Sequence, residues 1–144
     1  MTDRRTAREH AFFLAFEKDF QPDMIAEELY AQEQSEQEWE YDPYTEKLFL
    51  SVCSNAETID GYIAKYAKKR TLGRISKAAL AGMRLSIAEM LYFTTEIPFR
   101  VSINEAVELL KKYDEPETVG FANGILNAVA GELGLKDAET EETK

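Results

Sequence analysis

Apolar residues recur along this chain at helical spacing, and nowhere do they alternate in the manner of a strand. Ala7, Ala11, Leu14 and Ala15 form a narrow seam with Phe12, Phe13 and Phe16 alongside. They predict a first helix over residues 3–18, capped by Thr2 and packed closely on a neighbour. After the break at Gln21-Pro22-Asp23, Asp23 is placed to cap a second helix to about residue 34, with Ile25, Leu29 and Tyr30 inward. Residues 32–42 are polar and acidic except for Trp39, which predicts a surface loop with the indole folded back on the core. Asp42-Pro43 combines an N-cap with proline at the first helical position. Leu48, Val52, Ala56, Ile59, Ile63 and Tyr66 follow at gaps of three and four. Read as one helix over residues 43–66, this element would span about 36 Å at 1.5 Å per residue, with Gly61 as its weak point. Leu72 and Ile75 predict a short turn against the core. Ser76 then opens a helix to about residue 93, striped by Leu80, Met83, Ile87 and Leu91.

The sharpest local signals lie in residues 97–130, IPFRVSINEAVELLKKYDEPETVGFANGILNAVA. Pro98 ends what precedes it, because proline lacks the N–H that a helix interior needs. Ser102-Ile103-Asn104-Glu105 has the form of a capping box, and Asn104 and Glu105 are assigned mainly to structure on that ground. Ile103, Ala106, Val107 and Leu110 share one face of the helix that follows, and Lys111 and Lys112 suit the negative end of its dipole. Residues 114–118 form a turn. A last helix carries Phe121, Ile125, Val129 and Leu133 inward and stops at Gly134. The expected architecture is all-α, with an N-terminal helical subdomain over residues 1–70, a C-terminal one over 71–136 and an acidic, disordered tail over 137–144.

Composition narrows the function. The chain has 144 residues, 44% of them hydrophobic, enough for a core. No apolar run approaches the ~20 residues of a membrane span, and no secretory signal is evident, so no membrane association is expected. The single Cys53 and single His10 have no metal-ligand spacing around them, so neither a metal nor a cofactor is expected, and the compartment is read as reduced and cytoplasmic. Cys53 and His10 form no evident dyad, and no phosphate-binding glycine loop, dinucleotide fingerprint or zinc-protease motif is present. The carboxylate runs lie in exposed contexts. Catalytic residues are therefore not assigned, and the chain reads as a binding module.

The net charge of −10 argues against nucleic acid until its distribution is considered. Residues 17–60 carry thirteen acidic and two basic side chains, whereas residues 61–88 carry seven basic ones and no acid. The densest basic cluster, between Lys65 and Lys77, reads either as a phosphate-tracking patch or as a solvated helix end. Arg4, Arg5 and Arg8 sit at the start of the first helix, where free backbone N–H groups also favour anions.

IPFRVSINEAVELLKKY followed by FANGILN, with RRTAREHAFFLAF near the start, resembles the transcription antitermination NusB family in order from about residue 4 to 135. The resemblance implies two packed three-helix subdomains, with six to seven helices in all. It implies a non-enzymatic factor that binds boxA-type single-stranded RNA in ribosomal RNA leaders together with the small-subunit ribosomal protein NusE. That complex joins RNA polymerase and suppresses termination. Dimerisation occurs among similar proteins, so a homodimer is a further expectation. The alternative is a helical protein-interaction module without a direct RNA role. Carried onto this chain, the RNA-binding residues are Arg4, Arg5, Arg8, Phe16, Phe121, Asn123, Gly124 and Asn127. Phe16 stands where many relatives have tyrosine, and Asn127 where many have aspartate. Arg84 and Glu89, polar residues within an apolar helix, are the candidates for contact with the protein partner.

Overall fold

A computed structural model of the chain describes residues 2–68 and 71–136. Those residues form α-helices joined by short turns, with no strand among them: α1 (Arg4–Phe20), α2 (Ala26–Glu36), α3 (Pro43–Ser54), α4 (Ala56–Ala67), α5 (Lys77–Tyr92), α6 (Phe99–Tyr113) and α7 (Pro116–Glu132). A single 3-10 turn, Leu72–Arg74, precedes α5. The expected disordered tail lies outside the described residues, as do Lys69 and Arg70 of the basic cluster.

Several helix starts follow their sequence signals. Asp42 accepts from the Tyr44 N–H at 2.9 Å with Pro43 behind it. Ser76 accepts from the Ala79 N–H at 3.0 Å, and Gly134, at φ 74°, adopts the left-handed conformation that ends a helix. Other starts differ. Asp3 rather than Thr2 caps α1, accepting from the Thr6 N–H at 2.7 Å, while the Thr2 hydroxyl donates to Asp42 at 2.8 Å. Asp23 does not cap α2. That helix begins after Ile25, whose side chain is exposed rather than inward.

Residues 43–66 are two helices, not one. The break falls at Asn55, with φ −118° and ψ 25°, and its side-chain amide donates to the Ser51 carbonyl at 2.8 Å. Asparagine offers the backbone a local alternative to the helical ladder, whereas Gly61 continues undisturbed inside α4. The capping box is also absent. α6 starts a turn earlier, with Pro98 in the N-cap position, and the Ser102 N–H already bonds the Pro98 carbonyl at 3.1 Å. Ser102 is therefore a buried residue of the helix interior, and Glu105 is free to act elsewhere.

α5 lies at the centre and packs against α1, α3, α4, α6 and α7. Its sequence explains this: alanine, glycine, serine, leucine, isoleucine and methionine bury it on nearly all sides. Gly82 faces Leu110 of α6 so closely that a Cβ there would stand 3.1 Å from the leucine side chain. α1 lays its alanine seam on α3 and α5, where Thr45 donates to the Ala7 carbonyl at 2.9 Å. Trp39 does fold back, stacking on His10 with 4.1 Å between ring centroids.

Candidate nucleic-acid interface

The arginines at the start of α1 have different environments. Arg4 lies over the Tyr44 ring, 3.9 Å from its centroid, with Glu96 at 3.7 Å. Glu96 is held more tightly by Lys47, at 2.7 Å, and that bond lowers its pKa. Arg5 projects outward, its side chain 70% exposed, and donates through Nε and Nη2 to the two oxygens of Glu105 at 3.1 and 2.9 Å. A guanidinium has five donors, so this fork leaves an edge for a further anion. The carboxylate expected to cap α6 therefore orients an arginine of α1.

Arg8 is inside the protein, at 3% exposure, and does not join this surface. It donates to Glu89 of α5 at 3.0 and 2.9 Å, and Glu89 is itself 1% exposed. The same carboxylate accepts from Ser102 of α6 at 2.7 Å and from the Tyr44 hydroxyl of α3. Burial, reinforced by the nearby Glu89 charge, holds the Tyr44 pKa far above its ordinary value, so the hydroxyl remains a donor. Charged groups this deep must be paired. Among the described residues, no buried side-chain nitrogen or oxygen lacks a hydrogen-bond partner. The cluster ties α1, α3, α5 and α6 together, and neither Arg8 nor Glu89 presents atoms to a partner. Arg84 is likewise occupied, donating to Asp60 of α4 at 2.8 and 3.1 Å and to Asp19 of α1 at 3.3 Å.

Phe16 lies further along α1, half-buried, in an aromatic hollow of about 460 Å³ shared with His10, Phe13, Trp39 and Tyr113. Burial lowers the His10 pKa, with Glu9 and Asp42 opposing. The FANGILN residues face elsewhere. Asn123 and Asn127 line a groove of about 320 Å³ between α6 and α7, together with Arg100 and Asn104. The Asn127 amide donates to the Asn123 carbonyl at 3.0 Å and to its side-chain oxygen at 3.2 Å. Phe121 is half-buried against the core. A Cβ at Gly124 would meet nothing within 4 Å, so this glycine is not required by helix packing.

The nominated RNA-binding residues thus separate: Arg4 and Arg5 lie at the α1 pole with Arg8 beneath it, Phe16 in the aromatic hollow and Asn123 and Asn127 in the α6–α7 groove, while Phe121 and Gly124 lie on α7 outside the groove lining. The pole and the groove adjoin through α6 and the loop before it: Glu96 of the loop and Glu105 of α6 meet α1, while Arg100 and Asn104 of α6 line the groove with α7. Arg100 and Asn104 were not singled out from sequence as contact residues, although their spacing of four already placed them on one face. In the other basic cluster, Lys65 pairs with Glu132 at 2.6 Å and Lys77 with Asp19 at 3.0 Å.

Burial pushes the Cys53 thiol up to about 11, away from nucleophilic use, and no cluster able to hold a metal exists among the described residues. No described helix is long and apolar enough to cross a membrane. The fold and its surface features define a small all-helical domain with charged, aromatic and polar contact surfaces. Comparison with known proteins gives the family. The chain matches the NusB family over residues 5–131 and belongs to it. It is 42% identical over 134 residues to the transcription antitermination protein NusB of Natranaerobius thermophilus, covering 90% of this chain and 96% of that protein. NusB of Bacillus subtilis is 33% identical over 130 residues, with 90% and 96% covered. Among solved structures, NusB of T. maritima superposes with a TM-score of 0.80 at 31% identity, covering 91% of this chain and 92% of that one. A structure of antitermination factors NusB and NusE in complex with double-stranded RNA contains a chain that superposes with a TM-score of 0.79 at 26% identity, covering 90% and 96%.

Proposed function

We propose that this chain binds boxA-type single-stranded RNA of ribosomal RNA leaders jointly with the ribosomal protein NusE, in the cytoplasm, and that the assembly joins RNA polymerase and suppresses termination. The observation that carries the reading is the exposed Arg5 fork at the first turn of α1. Glu105 fixes its direction and leaves donors facing outward, with Arg4 and Lys47 on the same end of the molecule. Phosphate contacts position a nucleic acid, and stacking on rings holds single-stranded bases. Arg4 and Arg5 supply the first, and Phe16 in its aromatic hollow supplies the second. The related structure that holds NusB, NusE and RNA together supports the same assembly here.

The test is fluorescence anisotropy of a labelled boxA RNA with the full chain, with and without NusE, across a range of salt. Binding should be cooperative with NusE and should weaken as salt rises. Arg4→Ala with Arg5→Ala should reduce affinity and flatten the salt slope. A second reading, a protein-interaction module without an RNA role, draws on the net charge of −10 and on the carboxylates that already occupy Arg4 and Arg5. In that case NusE binds and RNA adds nothing, and the double variant is indistinguishable from the native chain.

A further inference from the structure

We propose that Tyr44 is a positioning residue for RNA binding: its ring is a fixed seat that holds the Arg4 guanidinium in one plane and leaves the N–H edge open. The inference rests on the RNA-binding reading above and adds to it a residue of α3 that makes no contact with the RNA itself.

Arg4 and Arg8 lie one turn apart on the same side of α1, and both act on this tyrosine. Arg4 places its Cζ 3.9 Å from the centroid of the ring. Arg8 reaches the other end of the side chain through Glu89, which accepts from Arg8 and from the Tyr44 hydroxyl. Tyr44 is buried, whereas the Arg4 side chain is 45% exposed. Spacing alone makes the two arginines equivalent. The tyrosine between them separates their roles, with Arg4 on the outer face of the ring and Arg8 beneath the hydroxyl.

Three contacts keep the ring in place. The Tyr44 N–H donates to Asp42 at 2.9 Å in the first turn of α3, and Asp42 is itself held by the Thr2 hydroxyl at 2.8 Å. The Tyr44 hydroxyl donates to the buried Glu89. Phe93 packs against the ring edge-on, with 5.8 Å between centroids. The carboxylate near Arg4 gives much less direction. Glu96 lies 3.7 Å from Arg4, is bound at 2.7 Å by Lys47, and is 40% exposed. An ion pair so open to water adds little. The ring therefore sets the plane of Arg4. A guanidinium stacked on an aromatic face is held by cation–π attraction and uses none of its five N–H donors, which lie in its own plane. Those donors remain for phosphate oxygens. Fixing a long side chain in the free protein also removes part of the ordering cost that binding would otherwise meet. Lys47 of α3 extends the same platform, its Nζ 5.7 Å from the Tyr44 ring and 5.1 Å from that of Phe93.

The experiment measures the anisotropy of labelled boxA RNA on the full chain with NusE, for Tyr44→Leu, Tyr44→Phe, Arg4→Ala and the double variant Tyr44→Leu with Arg4→Ala. Tyr44→Leu should weaken binding about two- to fivefold, the range of one cation–π contact at an exposed site. Tyr44→Phe keeps the ring and should keep most of that affinity, although it gives up the bond to Glu89. In the Arg4→Ala background Tyr44→Leu should have no further effect, because nothing is left for the ring to hold. A merely structural role would give the same loss in both backgrounds. A second measurement needs no change at Tyr44. In the NMR spectrum of the free native chain, the Arg4 side-chain protons, assigned from their absence in Arg4→Ala, should be shielded by the ring. The seat is overturned if those protons resonate where an exposed arginine does, if Tyr44→Leu binds as the native chain does, if Tyr44→Phe loses as much as Tyr44→Leu, or if the losses at Arg4 and Tyr44 simply add. Those results leave the RNA reading standing provided the native chain binds the RNA. Absence of native RNA binding overturns both, even where the Arg4 protons are shielded.

Discussion

Replacing Arg8 by methionine tests the interior cluster most directly. The substitution keeps much of the aliphatic stem and removes the cation that, among the described residues, pairs with Glu89, a carboxylate at 1% exposure. Tyr44 and Ser102 still donate to it, but a hydrogen bond from a neutral hydroxyl does not replace a counter-charge in a low-dielectric interior. Breaking a buried pair by deleting one partner costs about 3–5 kcal/mol. A domain of this size has about 5–15 kcal/mol in total, so the variant loses about a fifth or more of its stability and melts about 10–20 °C lower. Urea unfolding followed by far-UV circular dichroism and by Trp39 fluorescence measures the loss. The double variant Arg8→Met with Glu89→Gln removes both charges while leaving an amide oxygen for Tyr44 and Ser102. It should be less destabilised than the sum of the two single variants by more than 1 kcal/mol, because residues in direct contact are coupled. A loss below about 1 kcal/mol for Arg8→Met, or strict additivity in the cycle, would show that Arg8 and Glu89 do not form one unit. The cluster also bears on how RNA binding should be probed. Removing Arg4, Arg5 and Arg8 together would confuse lost fold with lost contact, so only Arg4 and Arg5 report on the surface.

Asn127→Asp should weaken RNA binding several-fold and cost some stability, because an aspartate cannot donate to the Asn123 carbonyl and sets a negative charge beside it; unchanged or tighter affinity in the anisotropy assay would refute this. Gly61→Ala should stabilise the chain by about 0.5–1 kcal/mol, since a Cβ there meets nothing within 4 Å and glycine is the poorer helix former. Gly82→Ala should show no such gain, because its Cβ would press on the fully buried Leu110 at 3.1 Å; a comparable rise in urea midpoint for both would contradict the packing. His10 should make the protein less stable as pH falls from 7 to 5.5. Burial lowers its folded pKa, so below the unfolded value near 6.5 the unfolded chain binds more protons than the folded one. His10→Phe should flatten that part of the stability profile, and an unchanged slope would refute the assignment.

Much of the fold was legible because helical periodicity is a repeated signal. The seams of α1, α5, α6 and α7 each draw on several positions, and losing one does not change the result. Boundaries rest on single residues and were less secure. Ser102 and Glu105 have the spacing of a capping box, yet Pro98 starts α6 a turn earlier and frees both side chains for tertiary bonds. Asn55 broke a stripe that apolar spacing alone would have carried through, because its amide satisfies the Ser51 carbonyl locally. The surface was less legible than the fold for a physical reason. Arg4, Arg5 and Arg8 look alike in a string of letters, and only the identity of the facing helix decides that Arg8 is buried while Arg5 projects outward. Arg84 and Glu89, read as contacts for a partner, are similarly taken up inside the molecule.

The acidic character of the chain and its proposed ligand are compatible once the arginines are seen with their carboxylates. A protein at −10 repels a polyanion over most of its surface, which suppresses sequence-independent binding to abundant RNA. The cations that remain exposed at the α1 pole are held by Glu96 and Glu105, so they are pre-aimed and their charge is locally compensated. A phosphate arriving there gains oriented donors without a strong long-range pull, and affinity depends on further contacts made at the same time. In the proposed reading those contacts come from the aromatic hollow, from the α6–α7 groove and from NusE. None suffices alone, and this is why cooperativity with NusE, rather than the affinity of the isolated chain, is the property on which the RNA-binding proposal should be judged.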